Sequence, residues 1–161
     1  MNTPSLFQSI RQWLDEASVA YRAVHHEPTR TSEESAKARG EEVRIGGKAL
    51  LVKIGDDCQL FVLSAALKLD SAALKDRFGV KKIRFATPRE LADLTGLVPG
   101  SVPPFGRPIL PFDLYVDESI LKNERIAFNA GSLTDSIVMP TADYLRIAGA
   151  TIFSFSTSDD G

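Results

Sequence analysis

The chain has 161 residues, of which 43% are hydrophobic and 25% are charged, and its formal net charge at pH 7 is -2. This length and composition predict one globular domain that buries a core of its own. The charge excludes a protein that holds nucleic acid by overall basicity, so any such partner must be bound locally. Because Cys58 is the single cysteine, an internal disulfide and a multi-cysteine zinc site are also excluded.

The sequence predicts a cytoplasmic protein that does not contact a membrane. It contains no apolar run near the roughly 20 residues that span a bilayer. Its first residues do not combine a basic segment with an apolar core, as a secretory signal would. The predicted domain covers residues 1–153, and the Ser-, Thr- and Asp-rich residues 154–161 are expected to form a polar tail.

Helix and strand signals alternate along the chain. Caps, capping boxes or prolines mark the helix starts, and glycines mark most helix ends. Apolar runs between turn-forming residues mark the strands. Helices are predicted from Thr3-Pro4 to 17, over 32–39, from a cap at Asp70 or Ser71 to 78, over 88–95, and from a cap at Thr141 to about 148, with a helical turn over 117–121. Strands are predicted over 21–25, 48–54, 59–64, 82–85, 112–116, 124–129 and 135–139.

The most apolar segments, 48–54 and 59–64, are predicted to form a hairpin around Gly55-Asp56-Asp57. Their nearly continuous apolar runs are typical of central strands that are buried on both faces. Short helices that alternate with such strands predict a single domain of mixed α/β (α+β) class. Its central sheet is expected to be mixed, mostly antiparallel, and surrounded by short helices.

The sequence lacks the side chains of most hydrolytic sites. The two histidines, His25 and His26, are neighbours in a predicted strand and would point to opposite faces, so only one could face a site. No Gly-x-Ser-x-Gly segment is present, and Cys58 has no histidine near it in the sequence. Neither the acids nor Gly46-Gly47-Lys48 match a metal site or a phosphate loop, so no metal or cofactor is predicted.

Lys48 stands where a Gly46-Gly47 turn enters the most apolar predicted strand. An ammonium group in this place could hold an anion at the mouth of a cleft, while the glycines let a ligand approach closely. The alternative is an ordinary lysine at a strand end that extends to water.

The segment 95–106 contains three glycines and three prolines around four apolar residues. Proline fixes φ and glycine permits positive φ, so this composition predicts a stiff, shaped loop with unpaired backbone amides. Such a loop is either a structural connection over one end of the core or a binding loop held by a rigid scaffold.

Five segments carry a family resemblance. They are His26, the segment 31–36 (TSEESA), the segment 48–52 (KALLV), the segment 96–106 (GLVPGSVPPFG) and the segment 128–132 (FNAGS). In this order and spacing they resemble the family of YbaK and the prolyl-tRNA synthetase-associated editing domains, over roughly His26 to Ile147. The lysine combined with Gly-x-x-Pro-Gly is the specific part of the pattern. No synthetase catalytic or anticodon-binding domain is recognisable, so a free-standing member is expected.

The resemblance implies a deacylase that hydrolyses the ester of a mischarged tRNA in trans, with Ala-tRNA(Pro) or a similar small-residue tRNA as substrate. The implied partner is the tRNA acceptor end, with prolyl-tRNA synthetase as a further candidate. Lys48 matches the functional lysine that engages the terminal adenosine or its phosphate, and water with the ribose hydroxyl performs the hydrolysis without metal or protein nucleophile. The implied substrate-binding residues are His26, Thr31, Gly96, Pro99, Gly100, Ser101, Val102, Pro103, Phe105, Gly131 and Ser132.

The identity of the edited amino acid stays open in the sequence. A small pocket lined by Val102, Phe105 and Ala130 would accept alanine and exclude proline, while Ser132 and Thr134 favour serine or threonine. Backbone amides of the stiff loop would stabilise the oxyanion. A non-catalytic tRNA- or synthetase-binding module of the same fold is the alternative from another functional class.

Overall fold

The fold is built around a five-stranded mixed sheet, in a computed structural model that describes residues 5–158. The helices are α1 (Leu6–Glu16), α2 (Ser32–Arg39), α3 (Ser71–Phe78), α4 (Pro88–Thr95), α5 (Glu118–Leu121) and α6 (Thr141–Ala148), with a 3₁₀ turn at Val43–Ile45. The strands are β1 (Arg22–His25), β2 (Gly47–Ile54), β3 (Asp57–Ser64), β4 (Lys68–Leu69), β5 (Ile83–Phe85), β6 (Leu114–Asp117), β7 (Arg125–Asn129), β8 (Asp135–Pro140), β9 (Thr151–Phe153) and β10 (Ser156–Thr157). The predicted mixed sheet with surrounding short helices is confirmed.

The central sheet has the strand order β5-β2-β3-β6-β9. Strand β2 pairs antiparallel with β5 and β3, whereas β6 pairs parallel with β3 and β9. A second sheet, β1-β8-β7, is antiparallel, and a parallel bridge between Gly46 and Ala127 connects it to the start of β2. The start of β2 therefore lies where the two sheets meet.

Alternate residues of β3 enter two hydrophobic cores. Leu60 and Val62 belong to the larger core, while Phe61 and Leu63 belong to the smaller core under α3. All four side chains are fully buried. Since neighbouring strand residues point to opposite faces, β3 is covered on both sides, as its apolar run predicted.

Two helix starts differ from the sequence prediction. Helix α1 begins at Leu6 with Ser5 as its cap, and Thr3-Pro4 lies outside the described residues. Thr141 does not cap α6: it is the first helical residue, and its hydroxyl is buried without a hydrogen-bond partner. Thr141 is a helical residue rather than the cap because β8 leads directly into the helix. Its backbone N–H donates to the Glu124 carbonyl.

The ordered chain continues past the predicted start of the polar tail at Ser154. Phe155 is fully buried in the smaller core, and β10 pairs antiparallel with β4. Composition alone pointed to a tail because only one residue of this segment is apolar. Among residues 5–158, no helix is long and apolar enough to cross a membrane.

Asp117 fastens this last segment to the sheet. It is 1% exposed, and its carboxylate accepts hydrogen bonds from the Phe155 N–H at 2.6 Å, the Ser119 N–H at 2.9 Å and the Ser156 hydroxyl at 2.7 Å. Burial alone would raise the pKa of Asp117, but these hydrogen bonds lower it below its ordinary value.

We expect Asp117→Asn to lower the free energy of unfolding by about 2 kcal/mol at neutral pH, because an amide NH₂ would face N–H or O–H donors. The ionised carboxylate stabilises the fold fully above the unfolded-state pKa of about 3.9. This contribution is lost as the pH falls through the lower folded-state pKa, so the difference between the two proteins should shrink in acid. Urea denaturation at neutral and at acidic pH measures this difference in the free energy of unfolding. Asp93→Asn, at an exposed position, is the control. A difference that is constant with pH would contradict this account.

Candidate functional site

A cavity of about 150 Å³ opens where the start of β2 faces α2 and the loop after α4. Its lining consists of backbone-rich turns, short hydroxyl side chains and three cations. The lining residues are Thr29, Arg30, Thr31, Ser32, Ser35, Arg39, Gly46, Gly47, Lys48, Ala49, Leu50, Ala65, Gly100, Val102 and Asn129. Four of the predicted site residues are brought together here, namely Lys48, Thr31, Gly100 and Val102.

Lys48 reaches the cavity from the second residue of β2, opposite Leu63 of β3. Its side chain is half-buried, and its ammonium group donates a hydrogen bond to the Leu67 carbonyl. This contact holds the ammonium group beside the turn that follows β3. The lysine is therefore placed at the wall of a cavity, as its position in the sequence suggested.

Close packing leaves little room for a side chain at the two glycines before Lys48, both of which also line the cavity. A Cβ atom on Gly47 would lie 2.6 Å from Cδ1 of Ile126, and one on Gly46 would lie 3.0 Å from Cβ of Ala65. Real Cβ atoms essentially never approach as closely as 2.6 Å, so a side chain on Gly47 would force Ile126 of β7 to shift. A side chain on Gly46 would press on Ala65 more tightly than most real contacts do. The glycines thus keep the two sheets in contact at the cavity.

The first half of the glycine- and proline-rich loop borders the cavity. Gly96 ends α4 with φ of +75°, and Gly100 has φ of +89°, both in the region that favours glycine. Just after Gly100, the Ser101 hydroxyl donates to the Val98 carbonyl at 2.8 Å and closes a tight turn. The turn presents Gly100 to the cavity, whereas Gly96, Pro99 and Ser101 do not line it.

The second half of the loop covers the core. Phe105 is fully buried and packs edge-on against Trp13 and Phe128, with ring centroids 5.1 and 5.4 Å apart. Ala130 is also fully buried, and Pro103 is absent from the lining as well. Of the wall predicted from Val102, Phe105 and Ala130, the structure brings Val102 alone to the cavity.

Asn129, the last residue of β7, links the loop to the rest of the site. Its side-chain amide donates to the Gly100 carbonyl at 2.8 Å. Its Oδ1 atom accepts from Nη2 of Arg39 and from the Ser136 hydroxyl, both at 3.0 Å. The amide orientation is therefore determined on both sides, and it sets the distance between the loop and α2.

Arg39, at the end of α2, is a site residue that the sequence did not reveal. It is 8% exposed, and its Nε atom donates to the Ser136 hydroxyl at 3.0 Å. Burial lowers the pKa of Arg39 to about 10, so the guanidinium stays charged at neutral pH. In the sequence it resembles any cation in the last turn of a helix; only the tertiary fold turns it inward.

His26 contacts Ser136, which is hydrogen-bonded to Arg39 and Asn129, from a position outside the cavity lining. Its Nδ1 atom lies 2.8 Å from the Glu27 carbonyl, which can only accept, so Nδ1 carries a hydrogen. Its Nε2 atom lies 2.8 Å from the Ser136 hydroxyl. In the neutral ring, Nε2 therefore competes with Asn129 for the single hydroxyl hydrogen of Ser136. His26 does not line the cavity itself.

The turn between β7 and β8 is also separate from the cavity. The Ser132 hydroxyl donates to Asp135 at 2.9 Å and accepts from the Thr134 N–H at 3.0 Å. Gly131 has φ of +77°, and a Cβ atom there would lie 3.0 Å from Leu6. Burial alone would raise the pKa of Asp135, but hydrogen bonds from His25, Ser132 and Thr134 lower it. These residues build the turn.

The hydroxyl groups that do line the cavity come from the segment around the start of α2. Thr29 is 5% exposed, and its Oγ1 atom accepts from the Ser35 hydroxyl at 2.8 Å and from the Asn129 amide at 3.4 Å. Since both of these contacts use Oγ1 as the acceptor, and residues 5–158 offer its hydrogen no acceptor, that hydrogen is available to a ligand. The same described residues contain no cluster of three metal-ligating side chains.

Comparison with known proteins gives a consistent result. The aminoacyl-tRNA editing domain model matches residues 26–147. The Escherichia coli K12 protein named multifunctional Ser/Thr-tRNA deacylase ProXp-y is 35% identical over 148 residues, which cover 88% of this chain and 87% of that protein. The prolyl-tRNA editing protein ProX of Acetoanaerobium sticklandii is 26% identical over 148 residues, covering 89% and 90%.

The fold agrees with these matches. A crystal structure of a candidate trans-editing enzyme for prolyl tRNA synthetase superposes with a TM-score of 0.82 at 26% identity, over 98% of this chain and 100% of that one. The family model spans all five sequence segments that carried the resemblance, and the relatives align along nearly the whole chain. The chain therefore belongs to the aminoacyl-tRNA editing domain family.

Proposed function

We propose that the cavity is the active site of a deacylase that hydrolyses the ester of a mischarged aminoacyl-tRNA. The observation that carries this proposal is that Lys48, Thr31, Gly100 and Val102 line one small cavity. These residues come from three separate sequence segments of the family pattern. Their meeting in space supports a shared role at a ligand rather than four independent structural roles.

The lining supplies charge and hydrogen-bond donors in place of a nucleophile. No Asp, Glu, His or Cys of residues 5–158 lines the cavity. Hydrolysis would then use water as the nucleophile and the ribose hydroxyl of the tRNA as the group that activates it. The backbone N–H groups of Gly100 and Val102 have no hydrogen-bond partner within the described chain, which leaves them as candidate donors to the oxyanion of the ester carbonyl.

The substrate that we propose carries serine or threonine. Thr29, Thr31, Ser32 and Ser35 place hydroxyl groups around the cavity, and the Thr29 hydrogen is available to a ligand. A site built to hydrogen-bond a substrate hydroxyl discriminates strongly against an analogue that lacks it. The name of the Escherichia coli relative, a Ser/Thr-tRNA deacylase, supports the same choice. Ala-tRNA(Pro), which the sequence favoured, lacks this hydroxyl.

The proposed partner is the acceptor end of tRNA(Pro), in the cytoplasm, where tRNAs are charged. Two similar proteins are named for prolyl-tRNA editing or for prolyl-tRNA synthetase, and this supports an association with that synthetase. The net charge of -2 implies that the grip on tRNA is local to the acceptor end.

Lys48→Ala should lower kcat/KM for deacylation by about a hundredfold, because loss of one partner of a charged, partly buried contact with the tRNA end costs about 2–5 kcal/mol. The measurement is the release of amino acid from tRNA(Pro) charged with serine, threonine or alanine. Lys53→Ala is the matched control, since Lys53 lies on the same strand outside the cavity lining. If all three charged tRNAs stay intact at high concentrations of the unmodified protein, the protein is a binding module and the enzyme proposal is wrong.

Thr29→Val should lower the preference for seryl-tRNA over alanyl-tRNA by about tenfold or more, since one hydrogen bond to the substrate is lost and the shape is kept. The ratio of the two kcat/KM values measures this preference. Thr134→Val is the control, because Thr134 donates to Asp135 at 3.0 Å in the turn outside the cavity. An equal fall in the ratio for both variants, or none for Thr29→Val, would show that Thr29 does not recognise the hydroxyl.

A further inference from the structure

Arg39 is a buried cation that the described chain does not neutralise. Its two side-chain hydrogen bonds go to Ser136 and Asn129, which are uncharged. None of the ion pairs within residues 5–158 includes Arg39. A buried guanidinium without a carboxylate partner is uncommon, because burial of a charge is unfavourable unless the charge is paired.

The other charged groups near the cavity do not compensate for it. Arg30 and Lys48 also line the cavity, and both add positive charge. The carboxylate of Glu34 is engaged in the cap of α2, where it accepts from the N–H groups of Arg30 and Thr31 at 3.1 Å. The carboxylate of Asp135 is engaged by the hydroxyl groups of Ser132 and Thr134 in the turn before Ser136.

His26 contacts Ser136 on this side. The carboxylate of Glu41, two residues beyond Arg39, is paired with Arg22 and Arg125. Among residues 5–158, the charged residues that line the cavity are all cations, namely Arg30, Arg39 and Lys48. A ligand group that enters this space meets an environment that opposes further positive charge and favours neutral or negative groups.

An aminoacyl ester carries an α-amine, which is a cation when it is protonated. We propose that the cavity takes the aminoacyl ester with this amine in its neutral form, and that Arg39 is the residue that sets this preference. The inference rests on the deacylase function proposed above. The ammonium group gives its proton to water or buffer before it enters: one N–H bond breaks, its electron pair stays on the amine nitrogen, and the proton bonds to the solvent base.

Arg39 can set the preference for the neutral amine because the position of its guanidinium is fixed. Nε and Nη2 are both bonded, so the guanidinium cannot swing away from an incoming cation as a flexible surface lysine can. Through Asn129, the same group is tied to the Gly100 carbonyl at the opposite wall. The charge that opposes an ammonium group also favours the negative charge that develops on the ester oxygen during hydrolysis.

The test compares seryl-tRNA with its α-hydroxy analogue, in which a hydroxyl replaces the amine. The quantity measured is the ratio of the two kcat/KM values between about pH 6 and 9, which brackets the ordinary range of α-amino pKa values. Uncatalysed hydrolysis is subtracted at each pH. For the unmodified protein, the ratio should fall about tenfold for each pH unit below the pKa of the amine, since only the neutral amine is accepted.

Arg39→Gln should flatten this dependence to less than about threefold per pH unit, because the opposing charge is gone while an amide can still bond to the network. Arg39→Lys, which keeps the charge, should retain the slope of the unmodified protein. It is the variant to measure if Arg39→Gln does not fold, and a flattened slope in this variant would also contradict the proposal. Arg89→Gln, on the exposed face of α4, is the matched control and should leave the slope unchanged. A ratio that does not vary with pH in the unmodified protein, or an unchanged slope in Arg39→Gln, overturns the proposal.

A binding measurement separates this proposal from the proposed function. If no aminoacyl-tRNA is hydrolysed, the deacylase function fails, and titration calorimetry with the non-hydrolysable 3′-serylamido-adenosine still tests Arg39. Below the pKa of the amine, binding should weaken about tenfold per pH unit and release one proton to the buffer. Equal affinity at all pH values, without proton release, overturns the inference.

Discussion

The amide of Asn129 is the contact on which the site depends. It bonds to Arg39 and Ser136 on one side and to the Gly100 carbonyl on the other, with distances of 2.8 to 3.0 Å. These bonds join α2, β8 and the glycine- and proline-rich loop to the end of β7. Because the amide has one donor end and one acceptor end, each partner requires the other for the correct orientation. The cavity between loop and helix exists at its present width because this one group spans it.

The charge distribution follows from the same contact. Asn129 and Ser136 each accept one hydrogen bond from Arg39 without neutralising it, so its positive charge remains in the wall of the cavity. A carboxylate in their place would have cancelled that charge. The site thereby favours negative charge on a reacting ester, and it does so with groups that are already in position. This arrangement suits a reaction in which water and the substrate's own hydroxyl do the covalent work.

Local sequence signals predicted the helices and strands well. The capping boxes of α2 and α4 and the glycine ends of α2, α3 and α4 are formed as expected, because each involves residues within one or two turns. The predicted cap of α6 was wrong, and residues 154–158 of the expected polar tail pack against the sheet, for a common reason. In both places a distant partner decides the structure: the Glu124 carbonyl holds the N–H of Thr141, and Asp117 holds the backbone of Phe155.

For the site, the sequence by itself determined the family, and it predicted a role for Lys48 and a stiff loop, since these depend on residue types at fixed spacing. The tertiary structure decided which residues meet. It turned Phe105 and Ala130 into the core and brought Thr29 and Arg39 to the cavity. Neither Thr29 nor Arg39 is distinctive in the chain, because their roles come from hydrogen bonds to partners about 6 to 100 residues away. Such contacts arise only when the two sheets and α2 are packed together, and no local pattern encodes them.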